Sequence, residues 1–245
     1  MDRSLSSPAD KAFPATQWSI ISLAAHGSEE EKIAALDTLC RTYRQPLYVF
    51  LRSIGRSHEA AEDSLQEFFL RLMDGRLLTL ACPERGRFRT LILTALKNLD
   101  HDFHRMENAQ KRGGDTEFVS LDNPAFKDHL QSELTYGISP EQAFDRAWAT
   151  ILIDRSRLRL QEHFTSIGKA TLFAELFPRM MGEGMEEGNL AAVAQRLQMS
   201  ETAVKTAFWR LRRHYAEIFR YEVQQTLVCQ EEVQDEVRCL MASFG

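Results

Sequence analysis

Apolar residues recur at three- and four-residue intervals along most of the chain, and runs that alternate apolar with polar are nearly absent. That pattern predicts helices and no sheet. A first helix is expected over Phe13 to Ala25, with Trp18, Ile21 and Ala25 on one side. A longer one follows over Glu29 to Ile54, its apolar positions being Ile33, Leu36, Leu39, Cys40, Tyr43, Leu47, Phe50, Leu51 and Ile54. Pro46 should kink or interrupt it, because proline lacks the backbone N–H and crowds the preceding turn. Gly55 should end it. His58 to Met73 carries Leu65, Phe68, Phe69 and Leu72 at helical spacing and stops at Asp74-Gly75. Leu77 to Arg87 reads as a loop. Arg89 to about Met106 is strongly amphipathic, with Leu91, Ile92, Ala95, Leu96, Leu99, Phe103 and Met106 facing inward.

The period is then lost. Residues 113–140 are polar, contain Pro124, Gly137 and Pro140, and read as an interdomain linker. Helices resume at Glu141, where Phe144, Trp148, Ile151, Leu152, Leu158 and Phe164 trace one helix. Ala170 to Phe177 is another, stopped by Pro178, and Met181 to Gly188 is a loop. Beyond Asn189 the chain is nearly all helical. The expected architecture is all-α, with two helical domains: residues 1–112, the linker 113–140, a second domain over 141–221, and an acidic helical extension over 222–245.

Composition narrows the function. Of 245 residues 44% are apolar, enough for a core, and the net charge is −5. A protein coated in nucleic acid is usually basic, so any such contact here must be local. The four cysteines form no CxxC and have no histidine pair at zinc spacing, which predicts free thiols in a reducing compartment and no metal or cofactor. The first ten residues hold no apolar segment, and no run approaches the roughly 18 apolar residues of a membrane helix. A cytoplasmic, nucleoid-associated protein without a membrane partner is expected. No nucleophile–base pair, glycine-rich phosphate loop or metal cluster is visible, so no catalytic residue and no enzymatic activity are expected.

The segment Asn189 to Arg213 has the pattern of a helix-turn-helix. Val193 and Leu197 point inward from its first helix, Ala194 is small where two helices approach closely, and Met199 fills the turn. Ser200 is a suitable N-cap for the second helix, whose buried stripe is Val204, Ala207, Phe208 and Leu211. The opposite face offers Thr202, Lys205, Thr206, Trp209, Arg210, Arg212 and Arg213. Such a unit docks its second helix in the major groove. Thr202, Lys205 and Thr206 are placed for base edges, and Arg210, Arg212 and Arg213 for phosphates. Gln198 stands where turns of this kind often carry glycine, and a positive φ there would cost roughly 1 kcal/mol.

Two upstream segments extend the pattern. Ala61 to Leu72 contains Glu62-Asp63, Gln66-Glu67 and Phe68-Phe69. Gly86 to Leu99 contains Phe88-Arg89, Leu91 and Asn98. Together with the helix-turn-helix they resemble the extracytoplasmic-function group of the sigma-70 family of bacterial RNA polymerase sigma factors. The likeness to sigma region 2 covers Leu36 to Arg112, and that to region 4 covers Pro140 to about Arg220. The resemblance implies that Asp63, Gln66, Glu67 and Arg71 contact the clamp helices of the largest subunit of core RNA polymerase. It implies that Arg85, Arg87, Arg89, Lys97, Asn98 and Arg105 open and hold the −10 element of promoter DNA, and that the helix-turn-helix reads the −35 element. Control by a separate anti-sigma factor or by the extension itself is expected. The alternative is a free-standing helix-turn-helix regulator whose N-terminal domain senses a ligand or dimerises.

Two features depart from that group. Residues 166–188 enlarge the second domain. The extension holds Glu222, Glu231, Glu232, Asp235 and Glu236 against Arg238, with Val223, Leu227, Val233, Val237 and Leu240 spaced for an amphipathic helix. The charge segregation suggests that it regulates access of DNA or polymerase.

Overall fold

The computed structural model describes residues 18–82, 86–111, 137–183, 187–227 and 230–244, with side chains at 104–111, 183, 187–189 and 230 left aside. The fold is all-α, and the described residues form no strand. Ten α-helices follow in order among them: α1 Trp18–His26, α2 Glu29–Ser53, α3 His58–Met73, α4 Arg76–Thr79, α5 Phe88–Lys111, α6 Pro140–Ser166, α7 Ala170–Pro178, α8 Glu187–Leu197, α9 Glu201–Gln224 and α10 Val233–Ala242. The chain clusters into two compact units, one reaching to Ile151 and resuming at Gln224, the other spanning Leu152–Val223.

In the first unit, α2 packs against α1 and α3, and α3 packs against α4 and α5. Ser28 starts α2 with a capping box, its hydroxyl accepting from the Glu31 N–H while the Glu31 carboxylate accepts from the Ser28 N–H. Pro46 does not interrupt α2, which runs on to Ser53. One lost hydrogen bond is outweighed there by burial of Leu39, Tyr43, Leu47, Tyr48, Val49, Phe50 and Leu51 on both sides of the proline. Gly55 ends the helix at φ 89°, with its own N–H donating to Arg52 and the next to Leu51, a Schellman closure. The expected loop after Gly75 contains the single turn α4, fixed by the buried Leu78. Tyr43 stacks on Trp148 of α6 at 5.0 Å and meets Phe88 of α5 edge-on at 5.7 Å.

Helix α6 is one unbroken helix of 27 residues. Its buried positions Phe144, Trp148, Leu152, Ser156, Leu160 and Phe164 recur every four residues. Four residues overshoot one turn by about 40°, so the stripe winds around the helix. Phe144 and Trp148 belong to the first unit, and Leu160 and Phe164 to the second.

In the second unit, Leu160, Phe164, Phe173, Leu176, Phe177, Leu190, Val193, Ala194, Val204 and Leu211 form one apolar cluster. Residues 166–183, an enlargement by sequence, are part of it: α7 contributes Phe173, Leu176 and Phe177, and beyond Pro178 the chain kinks over Arg179–Glu183, where Gly182 leaves helical geometry. Most of the expected linker, residues 113–136, lies outside the described residues.

Candidate nucleic-acid interface

The turn between α8 and α9 explains how the second helix of the pair is held. Gln198 is the single non-glycine at positive φ among the described residues, at 52°. Its N–H donates to the Gln195 carbonyl, and the Met199 N–H reaches back to the Ala194 carbonyl at 2.9 Å. This double closure satisfies two end carbonyls of α8 and offsets the cost of a left-handed glutamine. Ser200 caps the next helix, its hydroxyl accepting from the Ala203 N–H. Val193, Val204 and Leu211 are fully buried, and Leu197, Met199, Ala207 and Phe208 pack around them.

At about 100° per residue, Thr202, Lys205, Thr206, Trp209, Arg210, Arg212 and Arg213 fall within an arc of about 160° opposite Val204 and Leu211. All seven are exposed, Trp209 by 61%. The Thr206 hydroxyl donates to the Thr202 carbonyl, which turns its methyl and hydroxyl into fixed features of the face. Arg213 lies over the Trp209 ring and donates to Glu217 at 2.9 Å. An exposed pair of that kind is worth little. From Thr202 to His214 the helix carries bases and no acid.

The basic residues of the first unit have a different fate. Arg85 lies outside the described residues, and so does the side chain of Arg105. Asn98 is exposed. Lys97 is half-buried, pairs with Glu141 and sits 5.4 Å from the Phe50 ring. Arg89 is only 7% exposed, so it does not contribute to an open basic groove as expected. Its Nε and Nη2 donate to the two oxygens of Glu236 at 3.0 and 3.2 Å, and its Nη1 donates to Asp145. Arg87 approaches the same Glu236 at 2.6 Å. Burial works to lower the Arg89 pKa, but Glu236 and Asp145 outweigh it and hold the guanidinium above its ordinary value. Burial raises Asp145 despite Arg89.

The reason is positional. Arg89 shares its side of α5 with the buried Ile92, Leu93, Leu96 and Asp100. Asp100 is likewise matched, by a two-pronged contact from Arg56 at 2.7 Å on each arm. Glu236 is the acid that a reading by charge alone misses. It lies in the stripe Val233, Glu236, Val237, Leu240 of α10, and a carboxylate among apolar positions signals a buried partner.

On α3, Asp63, Gln66 and Arg71 are exposed and Glu67 is half-buried, accepting from Arg71 at 2.8 Å. Leu65, Phe68 and Leu72 are buried beneath them, and Leu70 and Met73 stand exposed on the same helix. These charged and apolar side chains share one exposed side of α3. Among the described residues no helix is long and apolar enough to cross a membrane, and no cluster of histidine, cysteine and acid side chains could hold a metal. No family model, curated protein or solved structure matches the chain.

Proposed function

We propose that the chain is a promoter-specificity subunit of bacterial RNA polymerase, of the extracytoplasmic-function sigma kind. Helices α8 and α9 read the −35 element, the first unit engages the −10 element, and core polymerase meets the outer side of α3. The subunit does no chemistry of its own and works in the cytoplasm at the nucleoid. The observation that carries the reading is the α8–α9 pair: a rigid turn, a capped second helix and an acid-free face of seven exposed residues opposite a dry core. The α3 face and the α5 segment, in sigma order ahead of it, support polymerase as the partner.

The test is transcription in vitro. Mixed with core polymerase, the chain should co-purify with it and start transcription at discrete promoters, with Lys205→Ala and Arg212→Ala weakening promoter binding. One observation favours a second reading. Arg89 is withdrawn from solvent, so the first unit exposes less positive surface than its sequence suggests. A free-standing helix-turn-helix regulator would bind duplex DNA without polymerase, as a dimer on a palindrome. Failure to bind core together with that behaviour would establish it.

A further inference from the structure

The Arg87–Arg89–Glu236 contact joins residues about 147 positions apart in the sequence inside the first unit. Arg87, Arg89, Trp148 and Glu236 line one small cleft together with Tyr43 and Thr226. Apart from Asp145, which holds one edge of Arg89, the charged groups there that α10 does not supply are the cations Arg87 and Arg89. The Nε1 of Trp148 is buried with no acceptor among the described residues. Glu236 supplies two oxygens to a guanidinium fork, in the geometry by which arginine takes a phosphate. The 3-10 turn that leads into α10 holds Glu231 and Glu232, and α10 itself holds Asp235 against Arg238.

We infer that α10 is a built-in competitor for nucleic acid: Glu236 occupies, in place of a backbone phosphate of single-stranded DNA, the anion position that Arg87 and Arg89 create. This inference rests on the reading that the first unit meets nucleic acid. The hold of α10 is suited to exchange. Among its apolar residues only Leu240 is fully buried, Val233 and Val237 are half-exposed, and Phe244 beyond it rests on Arg146. A helix of ten residues has little stability by itself, so once Glu236 is displaced α10 has little to keep it in place. Transfer of Arg87 and Arg89 from Glu236 to DNA would then couple DNA binding to release of the tail.

The experiment compares the full chain with Glu236→Gln and with Asp235→Asn. Both substitutions remove one negative charge from α10, but Asp235 is exposed and pairs with Arg238. The probe is a labelled single-stranded DNA read by anisotropy across a salt series. Glu236→Gln should tighten binding at least about fivefold and steepen the salt dependence by about one counterion, and Asp235→Asn should change it little. Adding Arg87→Ala to Glu236→Gln should abolish the gain. Equal affinities for the two single variants would overturn the inference. Should Glu236→Gln fail to fold, hydrogen exchange on the unaltered chain decides. Saturating single-stranded DNA should deprotect Val233–Ala242, and inorganic phosphate at matched concentration should not. Unchanged protection with DNA bound refutes the competitor, and deprotection by phosphate alone makes it a free-oxyanion site. Transcription with core polymerase separates the two readings. Promoter-directed activity with no difference between the variants removes only the competitor. Unmasking without any activity with core removes the sigma reading and keeps the competitor.

Discussion

Two helices of this molecule carry basic residues that by charge alone look equivalent, and the structure treats them oppositely. On α9, Lys205, Arg210, Arg212 and Arg213 lie across the helix from Val204 and Leu211 and face solvent. On α5, Arg89 lies within the stripe of Ile92, Leu93 and Leu96 and is buried against Glu236 and Asp145. An arginine opposite an apolar stripe is available to a ligand. An arginine inside one must find carboxylates within the protein, because an unpaired buried charge is prohibitive. Position relative to the stripe decides between recognition and architecture.

The largest effect should come from testing that division on α5. Arg89→Ala would leave two carboxylates, Glu236 and Asp145, in a partly dry site. Removal of one partner from a buried ion pair costs about 3–5 kcal/mol, and chemical denaturation should show a loss of that order. A surface arginine would cost less than about 0.5 kcal/mol. A denaturation midpoint unchanged by Arg89→Ala would mean that the cluster contributes nothing and that the comparison fails.

The same division shows what could be read from the sequence. The helical period marked out α3, α5, α6, α8 and α9, and the helix-turn-helix stripe Val193, Val204 and Leu211 is buried as its spacing predicts. Pro46 was misleading because a local propensity met a tertiary core on both sides. The exposed face of α9 was legible because its bases stand opposite a continuous apolar stripe. The closure over Arg87 and Arg89 was not, since Glu236 lies 147 positions from Arg89 and no local pattern joins them. The signal was nevertheless present on each side: a base in the α5 stripe and an acid in the α10 stripe, two misplaced charges of opposite sign.

On α9 the expected balance is reversed. Lys205→Ala with Arg212→Ala should leave thermal stability within about 0.5 kcal/mol of the parent, since neither side chain supports the core. Binding to duplex promoter DNA should weaken, and its salt slope should fall by about one for each phosphate left without a basic partner. A loss of stability that accompanied the loss of binding would place these residues with Arg89 and not opposite it.

A third comparison lies within α9 itself, at its far end. Glu222 is fully buried, and the Arg159 Nε lies 2.9 Å from its Oε1 but off the line of a hydrogen bond. Burial pushes the Glu222 carboxyl above its ordinary value, against the pull of Arg159 and Arg155. A raised carboxyl favours the protonated folded state, so its stabilising contribution is complete below the unfolded pKa, about 4.3, and is lost as pH rises through the folded value. Glu222→Gln should therefore stabilise the chain at neutral pH, on the order of 1 kcal/mol. The gap between variant and parent should close as pH falls through that window. Arg159 keeps the Tyr221 ring at 4.9 Å as an alternative partner. A gap that stays constant from neutral pH to about pH 4 would show that burial does not raise the Glu222 carboxyl.

The smallest effect concerns the turn that leads into α9. Gln198 holds a left-handed backbone that glycine would adopt without steric penalty. Gln198→Gly removes that penalty but adds conformational freedom to the unfolded chain, and the two terms nearly offset. The net gain should be about 0.5 kcal/mol or less, with DNA affinity unchanged, because the Schellman bonds from Gln198 and Met199 use backbone atoms alone. Gln198→Val makes the opposite test, since a β-branched side chain is excluded from that backbone region. It should lower the melting temperature and weaken duplex DNA binding together, through the angle between α8 and α9, while binding of single-stranded DNA by the first unit is spared. Parallel loss of both activities would mean that the two basic helices are not independent, and would remove the ground for comparing them.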